Sequence, residues 1–162
     1  MNTDLMFSSK FDEWQTPAEV YSLLDMEYHF DCDICARAGH NRHPNYVTPI
    51  MDALGPKPWY EYGSTIFMNP PYGRHLNRWI QRAWETVYEY NNPVSRILHV
   101  VALIPARTDT SYWHRYCMNS AEIGLVEGRI KFIGGGAPAP FPSAVIVFQT
   151  NNRNAKLTRW RF

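Results

Sequence analysis

Asn69-Pro70-Pro71-Tyr72, followed by Gly73 and preceded by the apolar run Thr65-Ile66-Phe67-Met68, is the stretch whose residue types could carry a reaction. Its chemistry would suit an amine whose lone pair is conjugated into a planar ring, such as the exocyclic amine of a nucleobase. That nitrogen is a poor nucleophile, and an enzyme gains by accepting hydrogen bonds from its two protons and drawing it towards tetrahedral geometry. The Asn69 side-chain carbonyl can accept one proton. The Pro70 carbonyl can accept the other, because consecutive prolines fix the backbone and remove its N–H donors. The Tyr72 ring offers an apolar face to a base that has left the duplex. The same residues also compose an ordinary turn, with Pro for fixed φ and Gly for positive φ. Four specified residues directly after a strand-like run favour the functional reading.

The elements around this stretch must position it. Residues 65–68 read as a short buried strand. A helix is expected over 75–90, with Leu76, Trp79, Ile80, Ala83 and Val87 at the 3.6 period and Arg74, Arg78 and Arg82 opposite, one per turn. That basic stripe either meets phosphates or is a solvated face. Residues 97–104 form a wholly apolar run that predicts a second buried strand. It leads into a loop with Arg107 and a short helix over 111–118. Two closing strands are expected around 123–126 with 129–132, and over 144–148, as an antiparallel pair at the sheet edge flanking the glycine- and proline-rich lip 134–140.

Upstream, residues 1–10 read as a mobile leader, and Asp12-Glu13-Trp14-Gln15-Thr16-Pro17 opens a helix to about residue 25. Thr16 suits its N-cap and Pro17 its first position. Trp14 would either staple that helix or line a pocket. Residues 30–36 alternate apolar and acidic side chains, placing Asp31 and Asp33 at a strand's carboxyl end, the usual ligand crevice of an α/β sheet. There an acid could hold an ammonium or stay solvated. No Gly-x-Gly loop follows, so a dinucleotide fingerprint is absent. Asp52, ahead of Ala53-Leu54, could contact a base amine or cap a turn.

Composition sets the outer bounds. A chain of 162 residues that is 45% apolar suits one domain with a full core. A net charge of +1 leaves any nucleic-acid affinity to local patches, sensitive to salt. No apolar run could span a bilayer and no signal peptide is evident, so the expected location is cytoplasmic. Three cysteines argue against a disulfide framework. Cys32, Cys35, His40 and His43 offer four zinc-type ligands, but the intervening loop is too short for a usual finger and no metal is expected.

Taken together, these blocks resemble the phage-type DNA adenine N6-methyltransferases, the Dam family of viral and prophage genomes. The likeness runs over roughly residues 8–150 and rests on the order of residues 12–17, 30–36, 52–54, 69–73, 105–108, 128–132 and the last apolar strand. It implies a Rossmann-like, mostly parallel sheet with an antiparallel last strand, one domain over 11–150 with a basic tail over 151–162, and S-adenosyl-L-methionine as methyl donor. It further implies that Trp14, Gln15, Thr16, Pro17, Asp31, Asp33, Ala36, Asp52 and Leu54 face the donor. Asn69, Pro70, Pro71 and Tyr72 would then form the catalytic element, with Arg74, Arg78, Arg107 and Phe132 towards DNA. The expected partner is DNA, in a restriction-modification setting, and the expected state is monomer or homodimer. Rival readings keep the same tetrad for an RNA base or a protein glutamine, or make the chain an inactive DNA-binding protein on a methyltransferase fold.

Overall fold

The computed structural model describes residues 14–90 and 97–162. The expected leader, Asp12 and Glu13 of the N-terminal block, and the helix breaker at 91–93 lie outside these residues. In chain order the elements are α1 (Ala18–Tyr28), β1 (Cys32–Asp33), β2 (Thr65–Met68), α2 (Leu76–Tyr88), β3 (His99–Pro105), α3 (Ser111–Arg115), β4 (Glu122–Val126), β5 (Ser143–Gln149) and β6 (Lys156–Trp160).

The six strands form one mixed sheet in the order β1-β2-β3-β5-β4-β6. β1, β2 and β3 are mutually parallel, β5 runs antiparallel to both β3 and β4, and β6 lies parallel to β4. The expected α/β architecture with one reversed strand is therefore present. Side chains of successive strand residues point to opposite faces, and the central strands are apolar on both. Ile66, Met68, Val100, Ala102 and Ile104 pack with Leu76, Ile80, Ala83 and Val87 of α2 and with Tyr112 and Trp113 of α3. The alternate residues Phe67, Val101, Leu103 and Val145 pack with Val20, Tyr21 and Leu24 of α1. Each of the larger side chains contributes about 1.5–3 kcal/mol by leaving water. Helices on both sides thus hold the sheet rigid, and the carboxyl ends of β1 and β2 emerge side by side.

Three segments depart from expectation. The first strand is two residues long, because the Asp31 carboxylate is drawn to the amides of Ser64 and Thr65 and the chain turns after Asp33. Residues 129–132 form no strand; Ile130 and Phe132 instead bury against the α1 side of the sheet, and the Ile133 amide donates to the Gln15 carbonyl at 3.0 Å. The basic tail is no loose appendage over 156–160. It pairs as β6, with Trp160 lying over Gly124, where an added Cβ would come within 2.4 Å of the indole. Thr158 Oγ1 also donates to Glu122 Oε1 at 2.6 Å. Among the described residues no helix is long and apolar enough to cross a membrane.

Candidate active site

Asp33 and Phe67 are register partners on parallel β1 and β2, so the residues that follow them, 34–36 and 68–70, leave the sheet at one edge together. A cleft of about 260 Å³ opens there. From the expected site residues it gathers Trp14, Gln15, Thr16, Asp33, Ala36, Asp52, Asn69 and Pro71. Its remaining lining includes Thr48, Pro49, Ala53 and Trp79, together with Arg37, His40 and Arg42 from the loop after β1.

Asn69 is held by its amide nitrogen. Nδ2 donates to the Trp14 carbonyl at 2.6 Å and to Thr16 Oγ1 at 2.8 Å. A backbone carbonyl can only accept, so the nitrogen must face Trp14 and the oxygen must face away. That oxygen, Oδ1, is buried and has no hydrogen-bond partner among the described residues. Thr16 is consequently a brace for Asn69 and not the N-cap of α1; Pro17 holds the cap position, with no side-chain hydrogen bond.

Asp33 is buried at the end of β1. Its Oδ2 accepts from the Arg42 amide at 2.9 Å, and its Oδ1 accepts weakly from the Cys35 amide at 3.4 Å. Burial pushes its carboxyl above the ordinary carboxylate value; the two amides and the nearby charges of Arg42 and His43 oppose that rise without cancelling it. Residues 45–47 run beside β1 and close its outer edge, with Asn45 and Val47 exchanging backbone hydrogen bonds with Asp33.

Other expected residues lie elsewhere or are engaged. Asp31 does not line the cleft: its carboxylate accepts from the Ser64 amide, Ser64 Oγ and the Thr65 amide at 2.8–3.0 Å. That carboxylate needs Gly63 beside it, because a Cβ there would fall 2.3 Å from Oδ1. Its role is to tie β1 to β2. Leu54 is replaced on the cleft wall by Ala53, whose carbonyl accepts from the Trp59 indole at 2.7 Å. Asp52 takes the left-handed conformation (φ 47°) that ends the turn Pro49–Met51, so it is both a turn residue and part of the lining. Pro17 and Pro70 lie outside the lining.

Tyr72 and Phe132 are not open stacking faces. They are 5% and 2% exposed, and the Tyr72 hydroxyl donates to the Leu103 carbonyl at 3.1 Å. Tyr72 meets Phe132 and Phe141 edge-on, at 5.9 and 5.6 Å between centroids, and Trp14 meets the same two rings at 5.6 and 5.4 Å. Phe141, at the end of the 134–140 lip, is the partly exposed ring of this cluster. Sequence reasoning did not single it out; its only signal was an aromatic residue closing a flexible loop. Arg74 and Arg78 are exposed as expected, whereas Arg82 from the same stripe donates to the carbonyls of Gly55 and Lys57 and fastens the 55–57 loop to α2. Arg107 is half-buried in the loop after β3. Among the described residues no cluster of three or more His, Cys, Asp or Glu is placed to hold a metal.

The family profile described as DNA N-6-adenine-methyltransferase (Dam) matches residues 4–156 of the chain. The chain belongs to this family. Membership makes DNA the substrate class and S-adenosylmethionine the methyl donor that the family implies for this Dam-family methyltransferase. Among solved structures, it is similar to a predicted O-methyltransferase from Agrobacterium tumefaciens, with 15% identity, a TM-score of 0.41, and coverage of 80% of this chain and 77% of the other. No curated protein gives a significant match.

Proposed function

We propose that the chain transfers a methyl group from S-adenosylmethionine to the N6 amine of an adenine turned out of the DNA stack, at the cleft between Asp33 and Asn69. The observation that carries this reading is the unpartnered, buried Asn69 Oδ1. A buried carbonyl without a donor costs about 1–3 kcal/mol, and a substrate N–H would remove that cost on binding. Because Nδ2 is tied to Trp14 and Thr16, the oxygen is oriented before the substrate arrives, which is the condition for strong electrostatic stabilisation.

The donor's fit rests on the lining. Asp33 supplies an acid for an ammonium, Asp52 an acceptor for a base amine, and Trp14, Ala36, Ala53 and Trp79 apolar surface. S-adenosylmethionine, when bound, supplies an electrophilic methyl on a positively charged sulfur that departs readily. The chain's own contribution is to position the adenine amine and to accept a hydrogen bond from it at Asn69 Oδ1 as the nitrogen becomes tetrahedral. The excess proton is lost after transfer, so the residues here need include no base of tuned pKa.

Asn69→Ala tests the reading. It should lower methyl transfer by at least ~100-fold, the effect of removing one preorganised hydrogen-bonding group, while donor affinity, followed by titration calorimetry, stays within about threefold. Turnover near that of the unmodified protein would sink the mechanism. Donor binding also raises the melting temperature if it favours the folded state; no shift at saturating donor would favour the inactive DNA-binding reading.

A further inference from the structure

Arg42 stands out among the charged groups of the cleft because the function described so far makes no use of its side chain. Its backbone amide donates to Asp33 Oδ2 at 2.9 Å, which fixes the end of the 37–42 loop against the carboxyl end of β1. Arg42 lines the same cleft as Asp33, and its charge opposes the rise of the Asp33 carboxyl. Yet among the described residues Arg42 makes no ion pair, and its Nε is buried without a hydrogen-bond partner. A guanidinium is a rigid fork of five donors that matches a carboxylate, and it cannot shed its charge. Leaving a buried donor of such a group unpaired is costly, so the arrangement calls for an anion delivered by a ligand. Beside it, Asp33 Oδ1 has only the long 3.4 Å contact from the Cys35 amide and retains capacity for a cation.

One wall of the cleft therefore presents an acid and a base, side by side and not bonded to each other through their side chains. We propose that Arg42 binds the α-carboxylate of the donor's methionine part while Asp33 takes its α-ammonium, so that the pair reads an amino-acid zwitterion. This rests on the donor reading above and adds a residue to it. Arg42 is a binding residue here; no bond forms or breaks at it.

The test compares two ligands that differ only in the carboxylate: S-adenosylmethionine and its decarboxylated form, which keeps the ammonium, sulfonium and adenosine. Titration calorimetry on the full chain, with Arg42→Met and Arg42→Lys beside the unmodified protein, gives the affinities directly. The unmodified protein should prefer the intact donor by about 10- to 100-fold, the worth of charge-assisted hydrogen bonds to one carboxylate. Arg42→Met should abolish that preference and change affinity for the decarboxylated form by no more than about threefold, through its charge on Asp33, which also shows that its fold is intact. Arg42→Lys, a charge without the fork, should restore part of the preference. If the unmodified protein binds both ligands equally, or if Arg42→Met still prefers the intact donor or weakens both alike, Arg42 does not hold the carboxylate although the donor reading survives. If the unmodified protein binds neither ligand, both readings fall together.

Discussion

The two sides of the cleft are built on opposite rules. On the side of Asp33, Asp52 and Arg42 the cleft wall carries charged groups, with the Asp33 carboxylate held by backbone amides and Arg42 Nε left without a partner among the described residues. On the side of Tyr72 the surface is aromatic and closed, with Trp14, Tyr72, Phe132 and Phe141 packed edge to face. The first side leaves buried polar atoms without a partner among the described residues. The second satisfies itself, and a planar base can reach Tyr72 only by displacing Phe141 or stacking on it. Asn69 sits at the seam: its nitrogen is bound to the N-terminal segment, and its oxygen waits for a partner. Under the proposed function the donor side is the preorganised one, whereas the target side must be opened by the substrate.

The contrast breaks most readily at Asp33. Asp33→Asn should weaken S-adenosylmethionine binding by about 100-fold, the loss of one buried charge-assisted contact, with little effect on DNA affinity. Burial raises the carboxyl's pKa. Below that pKa the group is neutral and no longer attracts an ammonium, so donor affinity should fall with decreasing pH, starting above the range where an exposed Asp would titrate. Calorimetry across the mildly acidic range checks both points, and a pH-independent affinity would count against Asp33 as the ammonium site.

Phe141 sharpens the target half of the comparison. Phe141→Ala should raise KM for DNA about tenfold, within the range for losing one base-stacking ring, while leaving donor affinity alone. A lower KM would instead make Phe141 a mere cover over Tyr72. The smallest effect belongs to the exposed arginines. Replacing Arg74 and Arg78 with Ala together should weaken DNA binding only a few-fold at moderate salt but reduce the slope of log affinity against log salt by about 2. An unchanged slope would mark them as solvated.

Much of this arrangement could be read from sequence where a residue's environment is local. β2 could be read because four apolar residues run into two prolines, and α2 because its apolar period is long and regular. Asp33 and the Trp14–Thr16 block were marked by strand position and family likeness, and the structure brings them to one cleft. What was missed depends on contacts between distant segments. Asp31 read as a helper to Asp33, but its carboxylate meets residues 64 and 65, more than thirty positions away. Arg42 gains its place because its amide reaches back nine residues to Asp33. β6 looked like a charged tail; its alternation of Lys156, Thr158 and Trp160 with Leu157 and Arg159 acquires meaning only beside β4, where Gly124 leaves room for the indole. Tyr72 read as an exposed platform because nothing in its own segment announces Phe132 and Phe141 above it.

The most direct measurement is the identity of the methylated product. Mixed-sequence duplex DNA is incubated with the purified chain and isotopically labelled S-adenosylmethionine, digested to nucleosides and resolved by mass spectrometry. The account predicts label in N6-methyladenosine of the deoxy series, lost in Asn69→Ala. Label in cytosine, in RNA or protein offered in parallel but not in adenine, or in no product while the donor binds, would contradict it.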